Sequence, residues 1–256
     1  KVLQILPGVA SSASFRNDII IRGGAPNENR FFLDGIEVPN INHFATQGSS
    51  GGPVGMLNVN FIKQVDFYAG AFPANRGNAM SSVIEFEQIT GNDERLSGTF
   101  QLGSSDVGLT LDGPIGEKST FIFSARRSYL QFLFSALNLP FLPTYTDFQF
   151  KQEIEINQKN TITIVGLGAI DDFELNTDVN DDLTDPEQIE QNEFLLGNLP
   201  VNTQNNYAIG AKWRHYGERS NQTLVISQNY LNNKAIKYQD NIEDPANLLL
   251  NYSSKE

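Results

Sequence analysis

Few residues of this chain have the types that acid–base, nucleophilic or metal chemistry requires. There is no cysteine and there are only two histidines, His43 and His215, so disulfides, thiol nucleophiles and thiolate metal sites are excluded. The sequence contains no Gly-x-Ser-x-Gly, His-Glu-x-x-His or phosphate-binding loop motif. A serine triad with His43 and Asp34 has no motif in its favour. We therefore predict no catalytic residue and no cofactor, and we interpret His43 as a polar loop residue.

The densest group of possible metal ligands is the acidic segment 171–193, which holds ten of the 30 acidic residues and no lysine or arginine. Two aspartates and an asparagine within 178–182 have the first spacing of a calcium-binding EF-hand loop. The motif is broken, because its sixth position is Leu183 and its twelfth is Ile189. We predict no metal site and interpret the segment as a solvated loop. A looser divalent-ion site and a contact with a surface lipoprotein are the alternatives.

Charge and hydropathy exclude two further classes of protein. Outside the acidic segment, the remaining 20 acidic residues nearly balance 18 basic ones. The basic residues form no cluster beyond the pair Arg126 and Arg127, so we predict no nucleic-acid partner. No run of about 18 uncharged apolar residues occurs, which excludes a transmembrane helix. A transmembrane β-barrel stays open, since each of its strands carries only a weak alternation signal.

The first part of the chain, residues 1–91, predicts a compact and glycine-rich α+β domain. The pair Asp34 and Gly35 lies between two apolar runs and predicts a two-residue type I′ hairpin, because both central residues of such a turn need a positive φ. The predicted strands of this domain are 18–22, 30–38, 62–69 and 82–89.

The second part, residues 92–256, has the pattern of long antiparallel strands. In "TDFQFKQEIEIN", Phe148 and Phe150 alternate with Asp147 and Gln149, which predicts one apolar and one polar face. We expect arginine to be destabilising at Phe150 and tolerated at Gln149. Apart from this strand and another in 206–216, we predict strands at 96–103, 106–112, 119–127, 160–170 and 222–231, and an eighth starting at 234.

The connections between these strands alternate between short and long. Short polar turns lie at 113–118, 157–160 and 217–221, whereas 128–145 and 171–203 are long. Short turns at one end of a meander and long loops at the other favour an outer-membrane barrel. A soluble up-and-down barrel is the alternative, but a charged face opposite an aromatic face suits a wet lumen and a lipid exterior better.

Taken together, the two parts resemble the plug domain and first barrel strands of TonB-dependent outer-membrane receptors, and most of all those of the Bacteroidetes group. The resemblance covers essentially the whole chain. The segments that carry it, in order, are "LPGV" at 6–9, "IIIRGG" at 19–24, "FLDGIEV" at 32–38, "NFIKQVDFYAGAFPANRGNAMSSVIEFEQIT" at 60–90 and "SGTFQLGSSDVGLTLDGPIGEKSTFIFSARRSYL" at 97–130.

The resemblance implies a plug inside a barrel of about 22 strands, of which about eight are present, so we expect this chain to be part of a longer receptor. It implies TonB-dependent import of a siderophore, glycan, peptide or cofactor across the outer membrane of a Gram-negative bacterium. The implied partners are the TonB energy-coupling complex, the extracellular ligand and outer-membrane lipids. An outer-membrane adhesin or binding protein without transport, and a soluble periplasmic enzyme, are the alternatives.

The resemblance also implies roles for individual residues. We expect Arg22 to meet lumen carboxylates such as Glu153 or Glu155, with a local ion pair as the alternative. The plug loops are expected to contact ligand, or else only to pack beneath the extracellular loops. The structural motif of the plug would be Arg22, Gly23, Asp34, Gly35, Arg76 and Gly77. The ligand-binding residues would be Phe15, Arg16, Asn42, His43, Phe44 and Gln47.

Overall fold

The computed structural model describes residues 8–11, 17–46 and 52–255, which fold into an N-terminal domain and a large antiparallel sheet. The helical pieces of the domain are 3-10 turns at Pro26–Glu28 and Val59–Phe61. Its strands are β1 (Val9–Ser11), β2 (Ile19–Ile21), β3 (Asn29–Leu33), β4 (Ile36–Val38), β5 (Asn42–His43), β6 (Val54–Gly55), β7 (Ile62–Tyr68) and β8 (Ser82–Gln88).

The centre of the N-terminal domain is a four-stranded sheet in the order β4-β3-β8-β7. Strand β3 is parallel to β8, and the other neighbours are antiparallel. The turn between β3 and β4 is the predicted one, because Asp34 and Gly35 have φ values of 51° and 92°. Beside this sheet, β1 pairs with β2 and β5 pairs with β6.

The second part is an eight-stranded antiparallel sheet in which every strand pairs with its neighbour in sequence. We call this sheet the wall. Its strands are β9 (Ser97–Leu102), β10 (Asp106–Pro114), β11 (Ser119–Ser128), β12 (Phe141–Asn157), β13 (Asn160–Leu175), β14 (Val201–Tyr216), β15 (Asn221–Tyr238) and β16 (Leu248–Lys255).

Several predicted boundaries of the wall are wrong. Strands β12 and β13 run further into the two long connections than predicted, and these connections contain α1 (Leu130–Ala136) and α2 (Pro186–Asn198). The eighth strand does not start at 234, because β15 continues to Tyr238. Neither α1 nor α2, nor any other helix in the described part of the chain, is long and apolar enough to span a bilayer.

The N-terminal domain covers one face of the wall, and the predicted alternation determines which face. In β12, Asp147, Gln149 and Lys151 are buried against the domain, whereas Phe148 on the opposite face is 44% exposed. Of the three isoleucines of β2, Ile19 and Ile21 lie in the domain core, whereas Ile20 is only half-buried. This core continues into the wall and comprises Ile19, Ile21, Phe31, Leu33, Ile36, Val38, Met56, Ile84, Phe86, Val165, Leu167, Ala169 and Ala208.

Candidate functional site

His43 is held between two carboxylates that neighbouring strands of the wall provide. Its Nε2 atom lies 2.8 Å from Oδ2 of Asp147 on β12, and its Nδ1 atom lies 2.5 Å from Oδ1 of Asp171 on β13. The His43 side chain is 0% exposed. Because β5 carries the histidine and the wall carries both acids, the contact joins the two parts of the molecule.

Two further wall residues complete this arrangement, which we call the His43 cluster: His43, Arg126, Tyr145, Asp147 and Asp171. Arg126 donates two hydrogen bonds to Asp147, of 2.7 and 3.1 Å, a bidentate geometry that is strong and directional. The same guanidinium donates to the backbone oxygen of Gly55 at 2.7 Å. The Tyr145 ring stacks on the imidazole with centroids 4.2 Å apart.

The geometry of the His43 cluster favours a protonated imidazole. A neutral imidazole has one donor and one acceptor nitrogen, yet both nitrogens of His43 face carboxylate oxygens. Burial by itself would lower the pKa of His43, but the hydrogen bonds and charges of Asp147 and Asp171 outweigh burial and raise that pKa above its ordinary value. With the histidine protonated, the two carboxylates are balanced by two cations, His43 and Arg126.

This arrangement suits a structural contact better than catalysis. The carboxylates lie at opposite nitrogens of the ring, so the three side chains do not converge on one point. Among the described residues, no group of His, Asp and Glu could hold a metal ion. His43 does not pair with Asp34, which belongs to a second group of contacts.

That second group, the Asp34 cluster, comprises Asp34, Gln88, Gln149, Lys151 and Lys212. The Asp34 carboxylate accepts from the backbone and side chain of Gln88, at 3.2 and 2.8 Å, and lies 3.5 Å from the Lys151 ammonium group. Lys212 donates to the Asp34 carbonyl oxygen at 2.7 Å, and Gln149 donates to Gln88 at 2.6 Å. Gln149 is 1% exposed, so the expectation that it tolerates arginine is wrong.

A cavity of about 760 Å³ lies beside the His43 cluster, between the segment that follows His43 and the wall. Aromatic rings dominate one side of it. Phe134 packs edge-on against Phe141, and Phe141 stacks on Phe173, with centroid distances of 5.4 and 5.5 Å. Phe44 and Asp171 also line the cavity. The cavity and the His43 cluster therefore share Asp171, and Phe44 follows His43 in sequence.

An asparagine of the wall also lines the cavity. The side-chain oxygen of Asn233 is buried, and it has no hydrogen-bond partner within the described ranges. Asn233 lines the cavity together with Tyr252. A largely apolar cavity with a few polar groups is the usual form of a small-molecule site.

The predicted ligand-binding residues lie in different environments. Phe15, Arg16 and Gln47 lie outside the described residues. Asn42 and His43 are buried, whereas Phe44 lines the cavity. The interpretation of His43 as a polar loop residue is wrong, because it lies in β5 and is enclosed. Ligand binding by this set stays a prediction.

The expected contact of Arg22 with the wall is not observed. Arg22 is exposed, and within the described ranges no ion pair joins it to Glu153 or Glu155; the Glu153 carboxylate lies 4.0 Å from Lys151. Arg22 instead occupies a tight turn with Gly23, in which their φ values are 51° and 81°. The turn explains the glycine at position 23, since glycine adopts a positive φ at no steric cost, but it does not explain the arginine.

The remaining residues of the predicted plug motif brace the four-stranded sheet. The Arg76 guanidinium donates to Glu85 at 2.6 Å and lies 4.2 Å above the Phe32 ring. This combines an ion pair with a cation–π contact. At Gly77, the next residue, an added Cβ atom would have no neighbouring atom within 4 Å.

Sequence reasoning missed the partners of His43. The alternation placed Asp147 on the polar face of its strand, which was a usable signal. Asp171 was assigned to a loop, because β13 was predicted to end at 170. Arg126 was noted only as half of a basic pair.

Comparison with known proteins finds one family model and several solved structures that are similar to parts or all of this chain. Residues 1–83 match the family described as the TonB-dependent Receptor Plug Domain. A ferric enterobactin receptor from Pseudomonas aeruginosa has a similar fold, with a TM-score of 0.63 and 14% identity over 99% of this chain and 42% of that chain. The siderophore receptor PirA from Acinetobacter baumannii has a TM-score of 0.63 and 14% identity over 99% of this chain and 40% of that chain.

The copper transporter OprC gives a TM-score of 0.59 and 11% identity over 99% of this chain and 38% of that chain. No curated protein matches the chain significantly. At these identities the likeness to solved structures shows the fold alone. The chain spans 38% to 42% of the length of these three structures.

Proposed function

Because residues 1–83 are a TonB-dependent receptor plug domain and the fold of the whole chain is the one that such receptors share, we propose that this protein takes part in TonB-dependent import of a scarce nutrient across the outer membrane of a Gram-negative bacterium. The N-terminal domain is called the plug from here on. Its partners in this proposal are TonB, the nutrient on the outer side and the lipids around the wall. A surface lipoprotein is a further partner to test.

One observation carries the proposal: buried polar groups form much of the contact between the plug and the wall, beside an apolar part that includes Val165 and Leu167. Along β12 the side chains that face the plug include Asp147, Gln149 and Lys151, and each bonds to a plug residue. Water can replace such bonds when the plug moves, whereas a purely apolar interface would have to expose its whole surface. The interface thus suits a part that is displaced and returns.

The cavity beside the His43 cluster is the place where we propose that the nutrient binds. It has the volume of a small-molecule site, and both plug and wall supply its lining through Phe44 and Phe173. A ligand that contacts both parts can favour one position of the plug, because only differential contacts shift a conformational equilibrium. The aromatic lining fits a nutrient with an apolar or aromatic surface, and siderophore, glycan, peptide and cofactor all remain to be tested.

A second candidate function is binding without transport, as in an adhesin or a binding protein of the outer membrane. The same cavity and the same wall would serve it. It differs in needing no movement of the plug, and the polar interface between plug and wall favours the import function.

Uptake measurements separate the two functions. Strains with and without the receptor, and with and without TonB, would be offered labelled siderophores, oligosaccharides, peptides and cobalamin-type cofactors. Import predicts surface binding that needs only the receptor, and accumulation that needs both the receptor and TonB. Binding that is unchanged by TonB, with no accumulation of any compound, would support the second function instead.

A further inference from the structure

We propose that His43 is a proton-dependent latch that holds the plug segment around β5 against the wall. The segment consists of residues 40–46 and runs along the edge of the cavity. With the proton present the latch is closed, and without it the segment is free to leave the wall. The geometry of the His43 cluster supports the latch by itself. Only the effect of the latch on import rests on the proposed function.

The geometry of the His43 cluster sets the number of protons that it must hold. The ring of His43 lies between oxygens of Asp147 and Asp171, at 2.8 and 2.5 Å. If no proton lay between the ring and one of these oxygens, a nitrogen lone pair would face a carboxylate charge at hydrogen-bond distance, which is repulsive. The cluster therefore keeps one proton in each gap. Losing one of them breaks one of the two contacts.

Among the described residues, the surroundings offer no substitute for that proton. Arg126 on β11 already donates to Asp147, and Tyr145 on β12 directs its hydroxyl to Asp106 on β10. Strand β14 presents only the neutral amide of Gln204, which bonds to the plug backbone. Once His43 is neutral, the two carboxylates of the cluster face the single charge of Arg126. The excess negative charge is buried and favours opening.

The plug segment has a reason to leave when the latch opens. Phe44, next to the histidine, has a φ of 55°, a left-handed conformation that costs a bulky residue free energy. Its amide donates to Asp171 at 2.7 Å, so the acid that holds the imidazole also holds the strained peptide. Such strain persists only while the neighbouring contacts impose it.

The chain also crosses itself closely at this point. A Cβ atom at Gly52 would lie 1.5 Å from the backbone oxygen of His43, so only glycine permits the crossing. Beyond the crossing, the His43 cluster also holds Gly55, because Arg126 donates to its carbonyl oxygen at 2.7 Å. Opening the latch would release the segment that contributes Phe44 to the cavity, and this links the proton to ligand binding.

Hydrogen exchange of the peptide that contains Phe44 and Ala45 tests the latch without any ligand and without TonB. Their amides bond to the wall and report directly on opening. The detergent-purified receptor would be compared below the ordinary histidine pKa of about 6.5 and about three pH units above it. Rates are corrected for intrinsic base catalysis and referenced to the β3–β4 hairpin, which the Asp34 cluster holds.

The latch predicts that corrected protection of this peptide falls about tenfold or more at the higher pH. His43→Gln should give low protection at both pH values, whereas His215→Gln, the control at the other histidine, should keep the wild-type profile. Asp147→Asn retains His43 but removes one carboxylate that raises its pKa, so the loss of protection should shift to lower pH. This second variant tests the latch even if His43→Gln fails to fold. An unchanged wild-type protection across this range, or a wild-type pH profile in Asp147→Asn, would overturn the latch. Absence of uptake would instead count against the proposed function alone.

Discussion

The His43 cluster and the Asp34 cluster join the same plug to the same wall in different ways. Both bury charged groups, and both combine ionic with neutral hydrogen bonds. The Asp34 cluster relies on Lys151 and Lys212, and no residue type in it ordinarily titrates near neutral pH. The cation that the plug itself contributes to the other cluster is a histidine, the side chain that ordinarily titrates there.

The positions of the two clusters differ as well. On β12, Asp147 lies nearer the end with the long connections and Lys151 nearer the end with the short turns. The cavity adjoins only the His43 cluster. The comparison predicts that one interface contains a permanent anchor, the Asp34 cluster, and a releasable contact, the His43 cluster, separated along the axis of the strands.

The largest expected effect comes from breaking the permanent anchor. Asp34→Asn keeps a residue that tolerates the positive φ of this turn but removes the charge beside the buried Lys151. Removing one partner of a buried ion pair typically costs about 3 to 5 kcal/mol. Hydrogen exchange of the Asp34 amide, which bonds to Phe86, would measure the loss in opening free energy.

A matched control for the anchor is Glu87→Gln, which breaks the exposed pair with Lys63 at 2.8 Å. Exposed pairs contribute little, so this variant should exchange like the wild type. If Asp34→Asn and Glu87→Gln had equal effects, the permanent anchor would not exist.

The face opposite both clusters gives the next largest effect. Phe150 lies on the outer face of β12, and arginine there should destabilise the wall by about 2 to 4 kcal/mol if it lies near the bilayer midplane. The control is Glu155→Arg on the inner face, at an exposed position. The free energy of unfolding of the two variants would be compared in lipid, with unfolding detected by electrophoretic mobility. Equal losses of stability in both variants would show that the two faces of β12 do not differ.

The pH dependence of stability sharpens the contrast between the clusters. The pKa of folded His43 is raised above 6.5, so its contribution is complete below pH 6.5 and is lost as the pH rises through the folded-state value. A buried, charge-assisted contact of this kind contributes about 1 to 3 kcal/mol. We expect the free energy of plug unfolding to fall by this amount with rising pH in the wild type and not in His43→Gln. A parallel fall in both would contradict the assignment.

The smallest effect concerns the cavity. Phe44→Ala removes the plug ring that lines the cavity and should weaken binding of the proposed nutrient ligand about tenfold, or ~1.4 kcal/mol. The control variants, Asn27→Ala and Glu28→Ala, change the 3-10 turn of the plug, which is not among the residues that line the cavity. Equilibrium binding to purified receptor that ranked the controls as more damaging would place the ligand elsewhere.

Much of the fold was predictable because its signals are local. Alternation of side chains along β12 and β14 depends only on which face is buried, and the turn at Asp34 and Gly35 depends only on backbone preference. A local signal also indicates the start of α2, because Asp185 caps its first turn and Pro186 occupies its first position. That signal was hidden by interpreting the whole acidic segment as loop.

The candidate site was not predictable, because its contacts are long-range. His43 meets acids that lie 104 and 128 residues away in sequence. Their meeting depends on the register of β12 with β13, which pairs Tyr145 with Asp171 and Asp147 with Ala169. No single segment carries that register. A histidine on the plug and acids on the polar face of the wall were visible, but their pairing was not.

The central claim, that the plug must move against the wall for import, is tested most directly by tying the two together. The side chains of Asn58 in the plug and Ser124 in the wall lie 3.0 Å apart, and the chain has no native cysteine. In the double variant Asn58→Cys and Ser124→Cys, a reducible cross-link made with a short bis-thiol reagent should leave nutrient binding intact, abolish TonB-dependent accumulation, and allow accumulation again after reduction. Full accumulation by the fully cross-linked variant would contradict the claim.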